Sequence, residues 1–270
     1  MVELFENQLK DFSRQSSKGN QLKWENDGIW YKADYTGYEG LSEFIVSQLL
    51  KKSSLGDEEY ITYELENIQY KRSVYNGVRS ENFIKNGEQL ITLERLYKLK
   101  KGTSFLQAVW HFPEVEDRLD FFVNEVVKLT GLEDFGIYLS KMLTIDAFFL
   151  NEDRHMHNIA VLMRDDSTYR LCPVFDNGAS LLSDTKMDYP LVGDIFEMMD
   201  EVKAKTLCSD FDEQLEAVEK KFGYNIKFTF TKKDVDALLA QADMYPEEVI
   251  ERVRTILYQR IRKYSYLFGR

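Results

Sequence analysis

Asp153, Asn158 and Asp176 are the residues of this chain whose types and spacing are best suited to chemistry. They stand in two runs, Asn151-Glu152-Asp153-Arg154-His155-Met156-His157-Asn158 and Phe175-Asp176-Asn177-Gly178. Between the runs lie two apolar stretches, Ile159 to Met163 and Tyr169 to Phe175, around the polar cluster Arg164 to Thr168. Two β-prone stretches about a turn-forming cluster predict a hairpin. In an antiparallel pair closed near residues 165 to 168, the residue entering the first strand lies beside the residue leaving the second. Asn158 and Asp176 are therefore expected to be neighbours, with Asp153 one short loop away. Two carboxylates and an amide are hard oxygen donors, which magnesium prefers when it bridges substrate phosphates. Phosphoryl transfer needs mainly a carboxylate to orient a hydroxyl nucleophile and metal ions to screen charge. On that chemistry Asp153 is the hydroxyl-orienting base and Asn158 a magnesium ligand, while Asp176 is the principal ligand linking Mg2+ to the β- and γ-phosphates of ATP. The competing account is ordinary turn chemistry, in which Asp, Asn and Gly dominate. The order of all three residues about a hairpin favours the site.

Such a site needs an element that holds the nucleotide. Arg14-Gln15-Ser16-Ser17-Lys18-Gly19-Asn20 is a small, polar loop ahead of Gln21 to Glu25, the turn Asn26-Asp27-Gly28, and Ile29 to Ala33. That order predicts a loop leading into a β-hairpin. Small residues let backbone amides approach phosphate oxygens, so Ser16, Ser17, Lys18 and Gly19 are candidate phosphate contacts, although a Ser/Gly stretch is also what a plain loop looks like. Lys32 lies in a strand between Tyr31 and Ala33, an awkward place for a solvated lysine, and is assigned to the α- and β-phosphates. Apolar residues at 41, 45, 46, 49 and 50 predict a helix that carries Glu43, the partner for Lys32, with Glu39 the competing choice. Further strands are expected over Glu59 to Glu64 and Ser73 to Arg79. The adenine-binding hinge is placed at Glu81, Asn82 and Phe83, ahead of a helical pattern from Leu90 to Leu96.

Asp153-Arg154-His155-Met156-His157-Asn158, followed by a strand pair and Asp176, resembles the catalytic segment of HipA-like serine/threonine kinases, whose form is Asp-x-His-x-x-Asn and then a metal-binding Asp. Phe83 ahead of Gly87-Glu88-Gln89-Leu90-Ile91 is similar to members of the CtkA type. The resemblance implies that Lys32 pairs with a Glu-bearing helix and that His155 fixes the catalytic loop. It also implies that the acceptor is a Ser or Thr hydroxyl on a protein, and that a serine in the Ser16-Ser17 region is a candidate for self-modification. A separately encoded antitoxin is a candidate partner on the same ground. Phosphatidylinositol 3- and 4-kinases carry a similar Asp-Arg-His-x-x-Asn loop, and Arg154 is shared with them, so the loop alone leaves lipid and small-molecule acceptors open. A nucleotide-binding pseudokinase is the reading from another class; retention of Lys32, Glu43, Asp153, Asn158 and Asp176 argues against it. The metal loop departs from the commoner Asp-Phe-Gly, so the Phe-based switch of ordinary protein kinases does not carry over.

Strands early and helices late predict an α+β, bilobal, protein-kinase-like fold. A small β-rich N-lobe over 1–83 would form the nucleotide cradle, and a larger, mainly helical C-lobe over 84–270 would carry the catalytic and metal loops. Helical spacing marks Leu119 to Thr130, Phe135 to Leu150, Asp194 to Lys205, Phe211 to Phe222, Lys233 to Ala242 and Pro246 to Leu267. At 270 residues and 44% hydrophobic content the chain can bury a sizeable core. Its net charge of −11 disfavours nonspecific binding to nucleic acid or an anionic membrane. The basic residues Arg252, Arg254, Arg260, Arg262 and Lys263 read as a solvated helix face offset by Glu247, Glu248 and Glu251. Cys172 and Cys208 are too few for a disulfide framework, and no secretory or membrane-spanning apolar run is present, so a cytoplasmic domain is expected. His155 and His157 lack a further His or Cys pair for zinc. The stretch after Asp176 looks polar and mobile, with Ser180, Ser183 and Thr185 as candidate phosphorylation targets.

Overall fold

The computed structural model describes residues 1–10 and 21–269. Ser16, Ser17, Lys18 and Gly19, the candidate phosphate contacts, lie outside the described residues. Along the chain come β1 (Val2–Leu4), β2 (Lys23–Asn26), β3 (Ile29–Ala33), α1 (Glu39–Leu50), β4 (Glu64–Tyr70), β5 (Ser73–Glu81), β6 (Glu88–Thr92), α2 (Leu93–Lys101) and α3 (Phe105–Val109). Then follow α4 (Val115–Thr130), α5 (Phe135–Phe149), β7 (Ala160–Arg164), β8 (Tyr169–Leu171), α6 (Ile195–Glu201), α7 (Phe211–Phe222), α8 (Lys232–Leu239) and α9 (Glu247–Lys263). The chain divides into two compact units. One comprises Met1–Phe83, Phe175–Val202 and Lys227–Arg270, the other Ile84–Val174 and Lys203–Ile226. Among the described residues no helix is long and apolar enough to cross a membrane.

The first unit is built on a five-stranded sheet in the order β1-β4-β5-β3-β2. The β2–β3 hairpin closes at Asp27 and Gly28, both at positive φ (50° and 81°), which is why an Asp-Gly pair suits this two-residue turn. Trp24, Tyr31, Ala33, Ile68 and Tyr70 pack together as an apolar cluster. Strand alternation then turns Lys32, between Tyr31 and Ala33, to the opposite face. Helix α1 packs against β3, β4, β5 and α8, so its burial extends well beyond the predicted stripe; from Gly40 to Leu50 only Gln48 is not buried. The close approach depends on glycine. A Cβ added to Gly40 would stand 2.9 Å from the Gly77 Cα, and one added to Gly77 would stand 2.2 Å from the Lys32 carbonyl oxygen. Backbone cannot yield as a side chain can, so Gly77→Ala is expected to cost about 1–3 kcal/mol and to lower the urea midpoint accordingly.

Asp34 joins β3 to α1, accepting from the Gly40 amide at 2.5 Å and from the Tyr245 hydroxyl at 2.9 Å. Burial pushes its carboxyl up to about 8, against the opposing pull of these hydrogen bonds. A folded-state pKa raised above the unfolded one means stability that is full in acid and falls as pH rises towards 8. Melting temperature should therefore decline between pH 5 and pH 8.5, and Asp34→Asn should flatten that decline.

Two expectations for this unit are corrected. The strand expected over Glu59 to Glu64 is instead a short turn, Asp57–Glu59, and an irregular connection; β4 starts only at Glu64. Side chains of α1 satisfy that backbone, Ser47 accepting from the Tyr63 amide and Gln48 donating to the Tyr63 carbonyl, so no strand partner is needed. The basic residues of α9 form a solvated face only in part: Arg262 and Lys263 are exposed and Arg254 pairs with Glu251, as expected, but the other two are not. Arg252 and Arg260 are buried, Arg252 donating to the Tyr189 and Pro190 carbonyls and Arg260 to the Tyr264 hydroxyl.

The second unit holds α2 to α5, α7 and a three-stranded sheet in the order β6-β7-β8. The predicted hairpin forms, Val161 facing Leu171 and Met163 facing Tyr169. The helix expected from Leu90 starts only at Leu93, because Leu90 and Ile91 pair with Leu162 and Val161 as strand β6. Thr92 caps α2 by accepting from the Arg95 amide. The first two amides of α2 donate to the Ile159 and Met156 carbonyls, which docks the helix start onto the loop that carries Asp153. Helix α5 is apolar almost all round and correspondingly buried, and it delivers the chain to that loop.

Candidate functional site

In the first unit, Lys32 is buried with its ammonium between two carboxylates. Its Nζ lies 2.5 Å from Glu43 Oε1 and 2.8 Å from Asp176 Oδ1. The Tyr63 hydroxyl stands at 3.3 Å. Burial opposes the lysine charge, but Asp176 and Glu43 outweigh it and hold the group well above the ordinary lysine range. Glu43 spends its second oxygen on the Asn177 amide, at 2.9 Å, and so links the strand lysine to the loop that carries Asp176. Glu39, the competing partner, caps the preceding loop instead, accepting from the Tyr35, Thr36 and Gly37 amides. Asp176 has φ +61°, a left-handed conformation that aspartate tolerates better than most residues. Lys23 lies 3.8 Å from the same carboxylate.

The stretch after Asp176 is tied to α1 and the loop before it, contrary to its polar appearance. The Tyr38 and Ser42 hydroxyls donate to the Leu181 and Ser180 carbonyls, and the Ser183 hydroxyl donates to the Gly178 carbonyl. Ser180 and Ser183 are buried, which removes them as exposed phosphorylation targets; Thr185 is half-buried. At the expected hinge, Glu81 ends β5, the Asn82 amide donates to the Gly28 carbonyl, and the Phe83 ring packs on Phe175 at 5.7 Å between centroids. The chain passes into the second unit at Ile84.

In the second unit, Asp153, His155 and Asn158 come together. Asn158 Nδ2 donates to the Asp153 carbonyl at 2.7 Å and to Asp153 Oδ2 at 3.1 Å. With its nitrogen so committed, the amide presents Oδ1, the atom a cation can use, away from that carboxylate. His155 Nδ1 accepts from the His157 amide, so the proton of the neutral ring sits on Nε2, 3.6 Å from Asp153 Oδ1. Burial pushes the His155 pKa below its ordinary value, with Asp153 opposing. His155 thus shapes the loop, and the His157 amide is one of the groups it holds.

Further residues that the sequence did not single out complete this half. Asp146, fully buried on α5, accepts from the Arg154 guanidinium at 3.0 Å and from Asn151 Nδ2 at 2.8 Å. Arg154 also donates to the Asn158 carbonyl at 3.2 Å, so one buried ion pair braces both ends of the loop. Lys205 Nζ lies 3.3 Å from Asp153 Oδ1. Thr206 beside it donates to the Arg154 carbonyl at 2.6 Å. Leu150, the last residue before the loop, has φ 57°, a left-handed conformation uncommon for leucine and of the kind that gathers near working sites.

Asp176 belongs to the first unit, Asp153 and Asn158 to the second. Among the described residues no group of three or more His, Cys, Asp or Glu is arranged as a metal cluster. Within the second unit alone, the Asp153 carboxylate and the Asn158 amide oxygen are hard oxygen donors, the kind that magnesium prefers.

No protein-family model and no curated protein matches the chain. Among solved structures, the proinflammatory kinase CtkA of Helicobacter pylori superposes with a TM-score of 0.59 at 13% identity, over 97% of this chain and 94% of that one. HipA in the Shewanella oneidensis MR-1 HipA, HipB and operator DNA complex matches with a TM-score of 0.49 at 15% identity, over 89% of this chain and 59% of that one. The fold is therefore the α+β, kinase-like fold of CtkA, in agreement with the resemblance read from the catalytic segment.

Proposed function

We propose that the chain is an ATP- and magnesium-dependent kinase of the HipA-like type that transfers the γ-phosphate to a Ser or Thr hydroxyl on a protein. The observation that carries this reading is the buried Lys32 ammonium shared by Glu43 of α1 and Asp176 of the metal loop. Two carboxylates against one ammonium leave an excess of negative charge there, which a divalent cation carrying nucleotide phosphates would offset while the ammonium donates to a phosphate oxygen. On this reading Lys32 holds the α- and β-phosphates and Glu43 keeps Lys32 in place. Ser16, Ser17, Lys18 and Gly19, outside the described residues, are the candidate phosphate contacts, and Glu81, Asn82 and Phe83 receive the adenine. Asp153 orients the acceptor hydroxyl and takes its proton. Asn158 and Asp176 would hold magnesium, which neutralises phosphate charge and orients the transferred group.

Arg154, the residue shared with lipid kinases, is turned inward onto Asp146 and supplies no lipid-directed group. The net charge of −11 also opposes an anionic membrane surface. Both points favour a protein acceptor, in a cytoplasmic setting where a separately encoded antitoxin is a partner to seek by co-purification. Intact-mass spectrometry after incubation with magnesium and ATP tests the reading. Mass gained in phosphate units by the native chain, and not by Asp153→Ala, is the expected result. No gain, together with no release of ADP in the presence of protein extracts, would overturn it.

A further inference from the structure

We propose that Lys205, resting on the kinase reading above, is a catalytic residue that supplies the cation beside the transferring phosphoryl group. Its Nζ lies 3.3 Å from Asp153 Oδ1, and its side chain keeps 39% exposure, so the ammonium is anchored at one donor and open to a ligand. A lysine ammonium has three donors, enough to hold Asp153 and a phosphoryl oxygen together.

The loop that carries Lys205 is held firmly within the second unit. Thr206 donates to the Arg154 carbonyl, the Ala204 amide donates to the Ser209 carbonyl, and the Leu207 carbonyl accepts from Arg118. Thr206 and Leu207 are fully buried. Two residues flanking a half-exposed lysine are thus fixed, which aims the ammonium at the carboxylate of the catalytic loop. A surface lysine seeking a counter-ion would gain little from such an arrangement, since exposed pairs contribute only about 0–1 kcal/mol.

The transfer step shows what the cation would do. The acceptor oxygen forms a bond to the γ-phosphorus, and its proton passes to Asp153. The bond from that phosphorus to the β–γ bridging oxygen breaks, and ADP departs with the bonding pair. Charge spreads over the equatorial phosphoryl oxygens during this step. A preorganised donor beside the base stabilises that charge more than it stabilises bound ATP. Lys205 therefore acts on turnover and little on nucleotide affinity, whereas Lys32 acts on the bound phosphates.

The test compares the full chain with Lys205→Met, which keeps the apolar stem, and Lys205→Arg. ADP release from magnesium·ATP, with water or a protein serine as acceptor, gives turnover; a fluorescent ATP analogue gives affinity; thermal melting monitors the fold. Lys205→Met should lose about 10²–10³-fold in kcat, with affinity within about threefold and an unchanged melting temperature, and Lys205→Arg should recover part of the loss. Equal turnover in Lys205→Met and the native chain, or a loss explained by a lower melting temperature, would overturn the assignment of Lys205 alone. A native chain that neither binds nor turns over ATP would overturn the kinase reading and this inference with it.

Discussion

Asp153→Ala is expected to lower phosphate transfer about 10²–10⁴-fold while binding of magnesium·ATP stays near its native value. The carboxylate sits at the centre of the second unit's loop, with Asn158 Nδ2 at 3.1 Å and Lys205 Nζ at 3.3 Å. None of the groups that hold Lys32 belongs to that loop, so the nucleotide-binding half should be untouched. Asp176→Ala should behave in the opposite way. It removes one of the two carboxylates on Lys32 and the proposed principal metal ligand, so magnesium-dependent nucleotide binding should be lost. Titration of a fluorescent ATP analogue with and without magnesium, beside single-turnover transfer, separates the two outcomes. Indistinguishable binding and transfer in the two variants would sink the division of labour between them.

Asp146→Ala should produce the largest loss of stability. Asp146 and Arg154 are both fully buried, and the pair braces Asn151 at one end of the catalytic loop and Asn158 at the other. Removing the carboxylate strands a guanidinium in the interior, at a cost of about 3–5 kcal/mol. That is a large share of the roughly 5–15 kcal/mol that holds a typical domain together, so unfolding at growth temperature is the expected phenotype. Asp146→Leu combined with Arg154→Met removes both charges and should regain much of the stability, since two apolar side chains need no partner. Transfer should remain low in the double variant, because the Asn158 carbonyl and the loop amides lose their brace. Urea unfolding of the single and double variants decides this; a single variant as stable as the native chain would show that the pair is not a brace.

The hairpin after the proposed catalytic loop was legible because its parts are local. The turn residues Asp165 to Thr168 and the apolar stretches on either side predict the hairpin without outside information, and it forms in register. The β2–β3 hairpin was legible for the same reason, Asp-Gly being suited to a turn that needs two positive φ angles. Helices α5 and α7 follow the predicted spans closely, α7 through its apolar periodicity and α5 through a long, nearly continuous apolar run. The start of α2 was misplaced because Leu90 and Ile91 suit a helix by spacing, and only β7 turns them into a strand.

The choice of partners lay beyond local reading. Glu39 and Glu43 share one helix and one chemistry; the loop amides at 35 to 37 claim the first, and the fold leaves the second for Lys32. Arg154 was read only as a residue shared with the lipid-kinase loop; its buried counter-ion, Asp146, is an acid inside an apolar helix that no motif marks. Lys205 stands 52 residues from Asp153 and follows no motif. Types, spacing and turn chemistry by themselves marked Asp153, Asn158 and Asp176 as candidates for phosphoryl transfer and determined that a lysine strand and a glutamate helix precede them. The tertiary structure alone decided which charges are paired with which. The reason is physical: hydrogen-bonded turns and helical periods are set by neighbours a few residues away, whereas the pairing of buried charges is set by which distant segments exclude water together.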